Sequence, residues 1–262
     1  MYPYVVVLFY SIVDNPVKKQ FVGISNFHSL IQNEAFRLAV FNSVQFSILA
    51  VPLAVGLSLG LALLLDCKIP FKSQFRTSFL SPVMVPVASV VLVWRILFDH
   101  NGALNAMLTS FGMDKIDWLK SAYSHFVIVV LFLWKNLGYN MILFMAAFGS
   151  IPKEVIEVAQ LEGARSLQIF LHIKLRYLSP TIFFLTLISL INSFKVFREV
   201  YILTGDYPYE TLYLLQHFMN NTFRTMDYQK MSAAAILISI ALILIIGLLF
   251  LLEQWFGKDM EG

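Results

Sequence analysis

Apolar residues in this chain come in long unbroken runs rather than in alternation with polar ones. Five runs, near 38–65, 77–98, 123–149, 181–203 and 231–252, approach or exceed the roughly 20 residues that a helix needs to cross about 30 Å of hydrocarbon. β-Barrel strands would alternate with period two. Their absence from these runs predicts helical spans, which satisfy their own backbone groups in lipid. A sixth run, "MYPYVVVLFYSIV", stops before Asp14 and is too short to span. It lacks the basic leader and small-residue cleavage site of a signal peptide. It is expected to be the outer half of a first, incomplete transmembrane helix. The predicted architecture is thus all-α, polytopic, with six transmembrane helices. Pro52, Pro82 and Pro86 fall inside predicted spans, where prolines are tolerated as kinks. The polar connections are 14–37, 66–76, 99–122, 150–180 and 204–230.

Composition supports the membrane reading. Of 262 residues, 58% are hydrophobic and only 13% charged, about half the charged fraction usual in soluble domains. The mean hydropathy is +0.73. The formal net charge of +3 includes no basic patch dense enough for nucleic acid. The single cysteine, Cys67, excludes an internal disulfide framework and a multi-cysteine metal site, and reads as a small buried or interfacial side chain. No GxxxxGK[ST] phosphate loop is present, so ATP is not bound by that device. No Ser/His/Asp constellation or metal-ligand cluster stands out, and the histidines are scattered. Charge counting orients the spans only weakly. With 66–76 inside, the inner side carries Lys68, Lys72, Arg76, Lys153, Arg165, Lys174, Arg176 and Lys258. The outer side carries Lys18, Lys19, Arg37, Lys115, Lys120, Arg224 and Lys230. The short 66–76 loop, with its positives close to membrane ends, favours this assignment.

The connection 150–180 is unusual. It carries Lys153, Glu154, Glu157, Glu162, Arg165, Lys174 and Arg176 between two very apolar runs. Pro152 suits a helix start, and Glu154 and Glu157 then lie near the positive end of the helix dipole. Val155, Val158, Ala159 and Glu162 share one side at helical spacing, as do Leu167, Phe170, Leu171 and Lys174. Gly163 separates the two segments and Pro180 is expected to end the second. The pattern predicts two short amphipathic helices about a glycine hinge. They can lie on a membrane surface or dock into a groove on a soluble partner; amphipathicity alone does not choose.

Polar residues within spans form a second candidate site. Ser189, Asn192, Ser193 and Val196 make a stripe at helical spacing, and Trp134, Asn136, Gly138, Tyr139 and Asn140 cluster in the preceding span. Hydroxyls and amides beside aromatic rings suit a neutral, hydroxyl-rich ligand. Interhelical hydrogen bonding is the structural alternative. Lys135, Lys195, Arg198 and Glu199 are ionisable groups at span depth, which are costly unless functional or paired. The small residues Gly56, Ser58, Gly60 and Ala62 in the second span permit close helix approach.

The tract 150–180 also carries a resemblance. "EVAQLEGA" followed by "FLHIKL" is similar to the EAA loop of inner-membrane subunits of binding-protein-dependent ABC importers. The pattern places Glu157, Ala159, Glu162, Gly163, Ala164, Ile173 and Leu175, with Glu154 just upstream; Val158, Glu162 and Arg176 depart from the usual Ala, Asp and Pro. "VGISNFHSL", "WRILFDHNGALNAML", "WKNLGYNMILFMAAFGSIP" and "SFKVFREVYILTGDYP" resemble segments of the sugar-uptake branch, the maltose- and glycerol-phosphate-type permeases. In the last, Asp206 and Tyr207 depart from a usual Gly-Gly. The resemblance implies the type I importer permease fold over residues 1–262, with 150–180 as a cytoplasmic coupling loop. It implies a non-catalytic subunit carrying a sugar along a pathway that includes Trp134, Asn136, Gly138, Tyr139, Asn140, Ser189, Asn192, Ser193 and Lys195. The implied partners are a second permease subunit in a heterodimer, two ATPase subunits that hold ATP and Mg, an extracytoplasmic sugar-binding protein, and membrane lipid. No cofactor is expected on this chain. Peptides or phosphorylated substrates neutralised by Lys135, Lys195 and Arg198 are the nearer alternative; a stand-alone channel or ion-driven transporter is the more distant one.

Overall fold

A computed structural model describes residues 2–15, 17–66 and 71–257. Cys67, Lys68 and Lys258 lie outside the described residues. The chain is helical almost throughout. In order, the helices are α1 Tyr2–Ser11, α2 Ser25–Gln32, α3 Glu34–Asp66, α4 Lys72–Met84, α5 Val87–Phe98, α6 Ala103–Ser110 and α7 Ser124–Gly149. There follow α8 Lys153–Leu161, α9 Ser166–Ile169, a π turn Phe170–Lys174, α10 Leu175–Lys195 and α11 Phe197–Thr204. A 3₁₀ turn Glu210–Leu212, α12 Leu215–Arg224 and α13 Tyr228–Gly257 complete the order. Among the described residues, five stretches are long and apolar enough to cross a membrane: Glu34–Asp66, Val87–Ser110, Ser124–Gly149, Ser166–Thr204 and Tyr228–Gln254. The expected incomplete first span is the short helix α1.

The span expected at 77–98 is not one helix. Val85 is extended (φ −84°, ψ 132°) and α5 begins only after Pro86. A residue before proline is pushed out of the helical region by the pyrrolidine ring. The carbonyl of Pro86 then accepts from the N–H groups of Ser89 and Val90 and starts the next helix. Pro52, Pro82 and Pro180 instead stay inside α3, α4 and α10. Connections expected to be plain loops also contain helices: α2 within 14–37, α6 within 99–122 and α12 within 204–230.

The chain divides into two compact units, each with its own core. The first comprises 1–48, 86–129 and 194–245. Its core joins Leu30, Phe36, Ala39, Leu215, Phe218, Ala233 and Ala234, with Phe36 edge-on to Phe218 at 5.3 Å. Buried polar groups pin its connections. Asn42 donates from Nδ2 to the carbonyls of Glu210 (2.6 Å) and Tyr213 (3.1 Å). The Leu215 N–H donates to Ser43 Oγ at 2.9 Å. Asn105, wholly buried, donates to the carbonyls of His100 and Ile116 and accepts from the N–H of Ile116 and from Trp118 Nε1. It folds the segment after α5 around a single amide. Asp206 pairs with Arg224 and accepts from Asn220, so the turn after α11 is tied to α12 by charge.

The second unit comprises 49–85, 130–193 and 246–262. Val55, Ala62 and Leu65 of α3 pack with Met141, Phe144 and Phe148 of α7, with Ile151, and with Leu178 and Leu185 of α10. The small residues of α3 divide between two faces. Ser58 and Ala62 are buried, and Ser58 Oγ donates to the Leu137 carbonyl at 3.1 Å. Gly56 and Gly60 border an open groove, where an added Cβ would meet nothing within 4 Å.

His217 of α12 is fully buried, edge-on to Phe197 at 4.6 Å and beside Tyr213. Its Nδ1 accepts from the Leu214 N–H at 3.2 Å, so it is neutral with the proton on Nε2. Burial lowers its pKa from 6.5 to about 4, against a smaller opposite pull from Asp206. An opened α12 would titrate near the ordinary value. The packing energy is therefore fully present above about pH 6.5 and is lost as pH falls toward 4, because only the opened state takes up a proton there. Amide-exchange opening energies for α12, corrected for intrinsic rates, should fall between pH 7.5 and 5. His217→Gln, which keeps an acceptor but cannot titrate, should flatten that slope; an unchanged slope would exclude His217 as its source.

Candidate functional site

The tract 150–180 is built around one turn. Pro152 is extended and α8 starts after it, with Glu154 in its first turn. At the other end, Gly163 has φ +84°, a left-handed conformation that costs an L-side chain about 1–2 kcal/mol. The Gly163 N–H donates to the Gln160 carbonyl at 3.0 Å and the Ala164 N–H to the Ala159 carbonyl at 2.9 Å. This pair of bonds is a Schellman closure, which satisfies the last carbonyls of the helix. Ala159, Gly163 and Ala164, three of the residues that resemble the EAA pattern, thus share one hydrogen-bonded turn. An added Cβ at Gly163 would meet nothing within 4 Å, so within this chain the demand for glycine comes from its dihedral angle alone.

Beyond the turn, Gln168 Oε1 accepts from the Arg165 N–H at 2.8 Å and starts α9. The second amphipathic helix differs from expectation. Only 166–169 is α-helical; a π turn follows, closed by the Leu175 N–H on the Phe170 carbonyl. Pro180 does not end the tract, because α10 begins at Leu175 and runs through it. The π turn inserts one residue relative to an α-helix, a feature that recurs at functional sites. Its last residue, Lys174, is anchored by Asp66 at the end of α3 (3.4 Å) and lies 5.4 Å from the centre of the Phe148 ring. Ile151, Ile156 and Ile169 turn inward. Val155, Val158, Leu161, Leu167 and Leu171 are exposed, Leu161 by 88%. Glu154, Glu157 and Glu162 are exposed as well. The tract is a hydrogen-bonded turn that presents an apolar surface edged with carboxylates.

The polar residues of α7 and α10 face each other in part. Asn192 Nδ2 donates to Asn136 Oδ1 at 2.9 Å, and Asn140 Nδ2 donates to Ser189 Oγ at 3.0 Å. Asn136 also donates to the Phe132 carbonyl, and Ser193 Oγ to the Leu190 carbonyl of its own helix. Bonds of this kind average about 0.6 kcal/mol in membrane bundles, so their value is chiefly in register. Asn192, which has no evident partner in its own helix, finds one across the helix pair. Asn136, Asn140, Ser189 and Ser193 are buried, Asn192 half-buried, and Trp134 and Tyr139 exposed. Lys195, exposed at the end of α10, belongs to the other unit. Gly138 has a packing duty: its missing side chain lets the Phe79 carbonyl of α4 lie where a Cβ would stand. The Lys174 anchor, the π turn and the hubs at Asn42 and Asn105 had no periodic signal by which to be found.

Polytopic helices, an exposed amphipathic turn and a polar seam between two helices describe a polytopic membrane protein. The family described as "Binding-protein-dependent transport system inner membrane component" matches residues 54–262, and this chain belongs to it. It is a non-catalytic, multi-pass inner-membrane component of such a system. It is 29% identical over 235 residues to the sn-glycerol-3-phosphate transport system permease protein UgpA of Yersinia pseudotuberculosis, covering 88% of this chain and 79% of that one. It is 28% identical over 244 residues to the trehalose/maltose transport system permease protein MalF of Thermococcus litoralis, covering 92% and 82%. A chain in the crystal structure of a bacterial alginate ABC transporter with its alginate pentasaccharide-bound periplasmic protein superposes with a TM-score of 0.81. It is 22% identical, and the match covers 98% of this chain and 89% of that one. The fold is therefore that of the type I importer permeases.

The close approach at Gly138 yields a paired prediction. Gly138→Ala drives a Cβ into backbone that cannot rotate aside, and should cost about 1–3 kcal/mol, as overpacking does. Gly56→Ala, placed in open space, should stay within about 1 kcal/mol of the parent. Thermal unfolding of the two detergent-purified variants checks this; equal midpoints would contradict the packing assigned to Gly138.

Proposed function

We propose that this chain is one of two membrane-spanning subunits of an ATP-driven importer, and that it translocates a sugar handed over by an extracytoplasmic binding protein. The tract 150–180 faces the cytoplasm and docks onto a partner ATPase. That ATPase holds ATP and Mg; this chain binds neither. The observation that carries the reading is the exposed apolar face of α8, with Val155, Val158 and Leu161 edged by Glu154, Glu157 and Glu162. Lipid offers no partner for those carboxylates and water none for those valines, whereas a groove on a folded protein suits both. Sugar as cargo is supported by the names of the relatives and by the hydroxyl- and amide-bearing residues of α7 and α10.

In this reading the loaded binding protein meets the outer side, ATP draws the two ATPase subunits together, and α8 moves with the subunit it is seated on. Because α8 is rigidly closed at Gly163, its displacement passes to 164–174 and so to α10, which carries Ser189, Asn192 and Ser193 toward the pathway. Hydrolysis resets the cycle. The second permease subunit supplies the other wall.

Gly163→Pro tests the coupling role. Proline fixes φ near −65° and removes the N–H that reaches Gln160. Both the turn and the docking surface are lost, while the polar seam is untouched. The variant should insert and meet its permease partner, yet lose most transport in reconstituted vesicles, with ATPase either dissociated or hydrolysing unproductively. Glu157→Ala should show a milder form of the same defect. Transport and stimulated ATP hydrolysis equal to the parent in Gly163→Pro would reduce 150–180 to a surface helix pair.

A further inference from the structure

Resting on the importer reading above, we infer that Lys195 and Arg198 form an anion-binding subsite on the translocation pathway, and that the sugar carried bears a carboxylate or a phosphate. Lys195 ends α10 and Arg198 lies in the first turn of α11. The linking residue Val196 is itself helical (φ −60°, ψ −20°), and its carbonyl accepts from the Val200 N–H at 3.1 Å. Their spacing of three therefore puts the two cations on one side of a continuous helical stretch. Both are exposed, as is Ile202 one turn further on, while Val196, Glu199 and Val200 between and behind them are buried. Neither cation forms an ion pair among the described residues.

These charges lie within the apolar run 181–203, part of the candidate span Ser166–Thr204. Lys195 is eight residues before the end of that run, or about 12 Å at 1.5 Å per residue, farther than a lysine chain reaches by snorkelling. A cation left in hydrocarbon costs about 2.5–3.5 kcal/mol near the helix centre, and two on one face would each carry that cost. The face is therefore turned away from lipid, toward the water-filled route shared with the second subunit. Two exposed cations that form no ion pair among the described residues attract an anion along such a route. The guanidinium fork of Arg198 matches a carboxylate or phosphate with two parallel hydrogen bonds. The ammonium of Lys195 adds a compact charge one turn inward. A neutral sugar would leave both charges uncompensated at every passage, so acidic cargo is the better fit.

The complete importer, with its binding protein, is reconstituted in vesicles and offered three labelled probes: maltotriose, trigalacturonate and sn-glycerol 3-phosphate. Uptake of one or both acidic probes is expected, and which of them is taken distinguishes carboxylate from phosphate. Lys195→Gln and Arg198→Gln should each lower that uptake about tenfold or more, the usual scale for a charged hydrogen bond. Assembly of the subunits, read by co-purification, should be unchanged. Lys195→Arg, which keeps the charge, should stay near the parent. Uptake of maltotriose alone, or acidic uptake indifferent to both glutamine variants, overturns the subsite. Loss of subunit assembly in Lys195→Gln also overturns it, since the counter-charges would then belong to the second permease subunit. Uptake of none of the three probes by a complex that still hydrolyses ATP counts against the sugar reading itself.

Discussion

Hydrocarbon offers no hydrogen-bond partner, and the structure depends first on that constraint. Each backbone amide in a span must be satisfied by the chain itself, which makes long helices the default. It also makes every interruption informative. The break at Val85–Pro86 follows from the steric demand of proline on the residue before it, and the π turn at 170–174 keeps its amides bonded while adding one residue to the register. Neither leaves an exposed strand of unpaired backbone. Where the chain does depart from helix, as at 99–102 and 205–214, buried amides such as Asn105 and Asn42 supply the missing partners.

The same constraint separates two kinds of polar side chain. Asn136, Asn140, Ser189 and Asn192 are satisfied against one another and hold α7 to α10 in a fixed register. Lys195 and Arg198 are exposed and not satisfied in this way. A polar group that is bonded inside the chain can serve packing alone, whereas an uncompensated charge at span depth demands something outside it. The residues of α7 and α10 thus differ in duty. The seam positions two helices and Gly138 lets α4 approach α7, while Trp134, Tyr139 and Lys195 are exposed.

The proposed coupling to an ATPase would require an element that is rigid within itself yet attached to the spans at defined points. The Schellman closure at Gly163 is rigid in this sense: two backbone bonds and a left-handed residue allow little bending. The Lys174–Asp66 pair, half-exposed and worth at most about 1 kcal/mol as a surface ion pair, provides little stability. Its effect is geometric, because it ties the end of the π turn to the end of α3 beside the Phe148 ring.

The sequence by itself determined the helical class and the number of long spans, and it marked 150–180 as a charged amphipathic tract, because run length and charge density are local properties. It also singled out Gly163, since a glycine between two amphipathic segments is itself the signal of a left-handed turn. Span breaks were less legible: Pro52, Pro82 and Pro86 look alike in one dimension, yet only Pro86 separates two helices. Which polar residues bind each other was not legible at all. Asn192 and Asn136 are 56 positions apart, and nothing in local spacing says that their helices face. The packing role of Gly138, the anchor from Lys174 to Asp66 and the exposure of Lys195 were likewise decided only by the tertiary structure, because each depends on which helix face meets which neighbour.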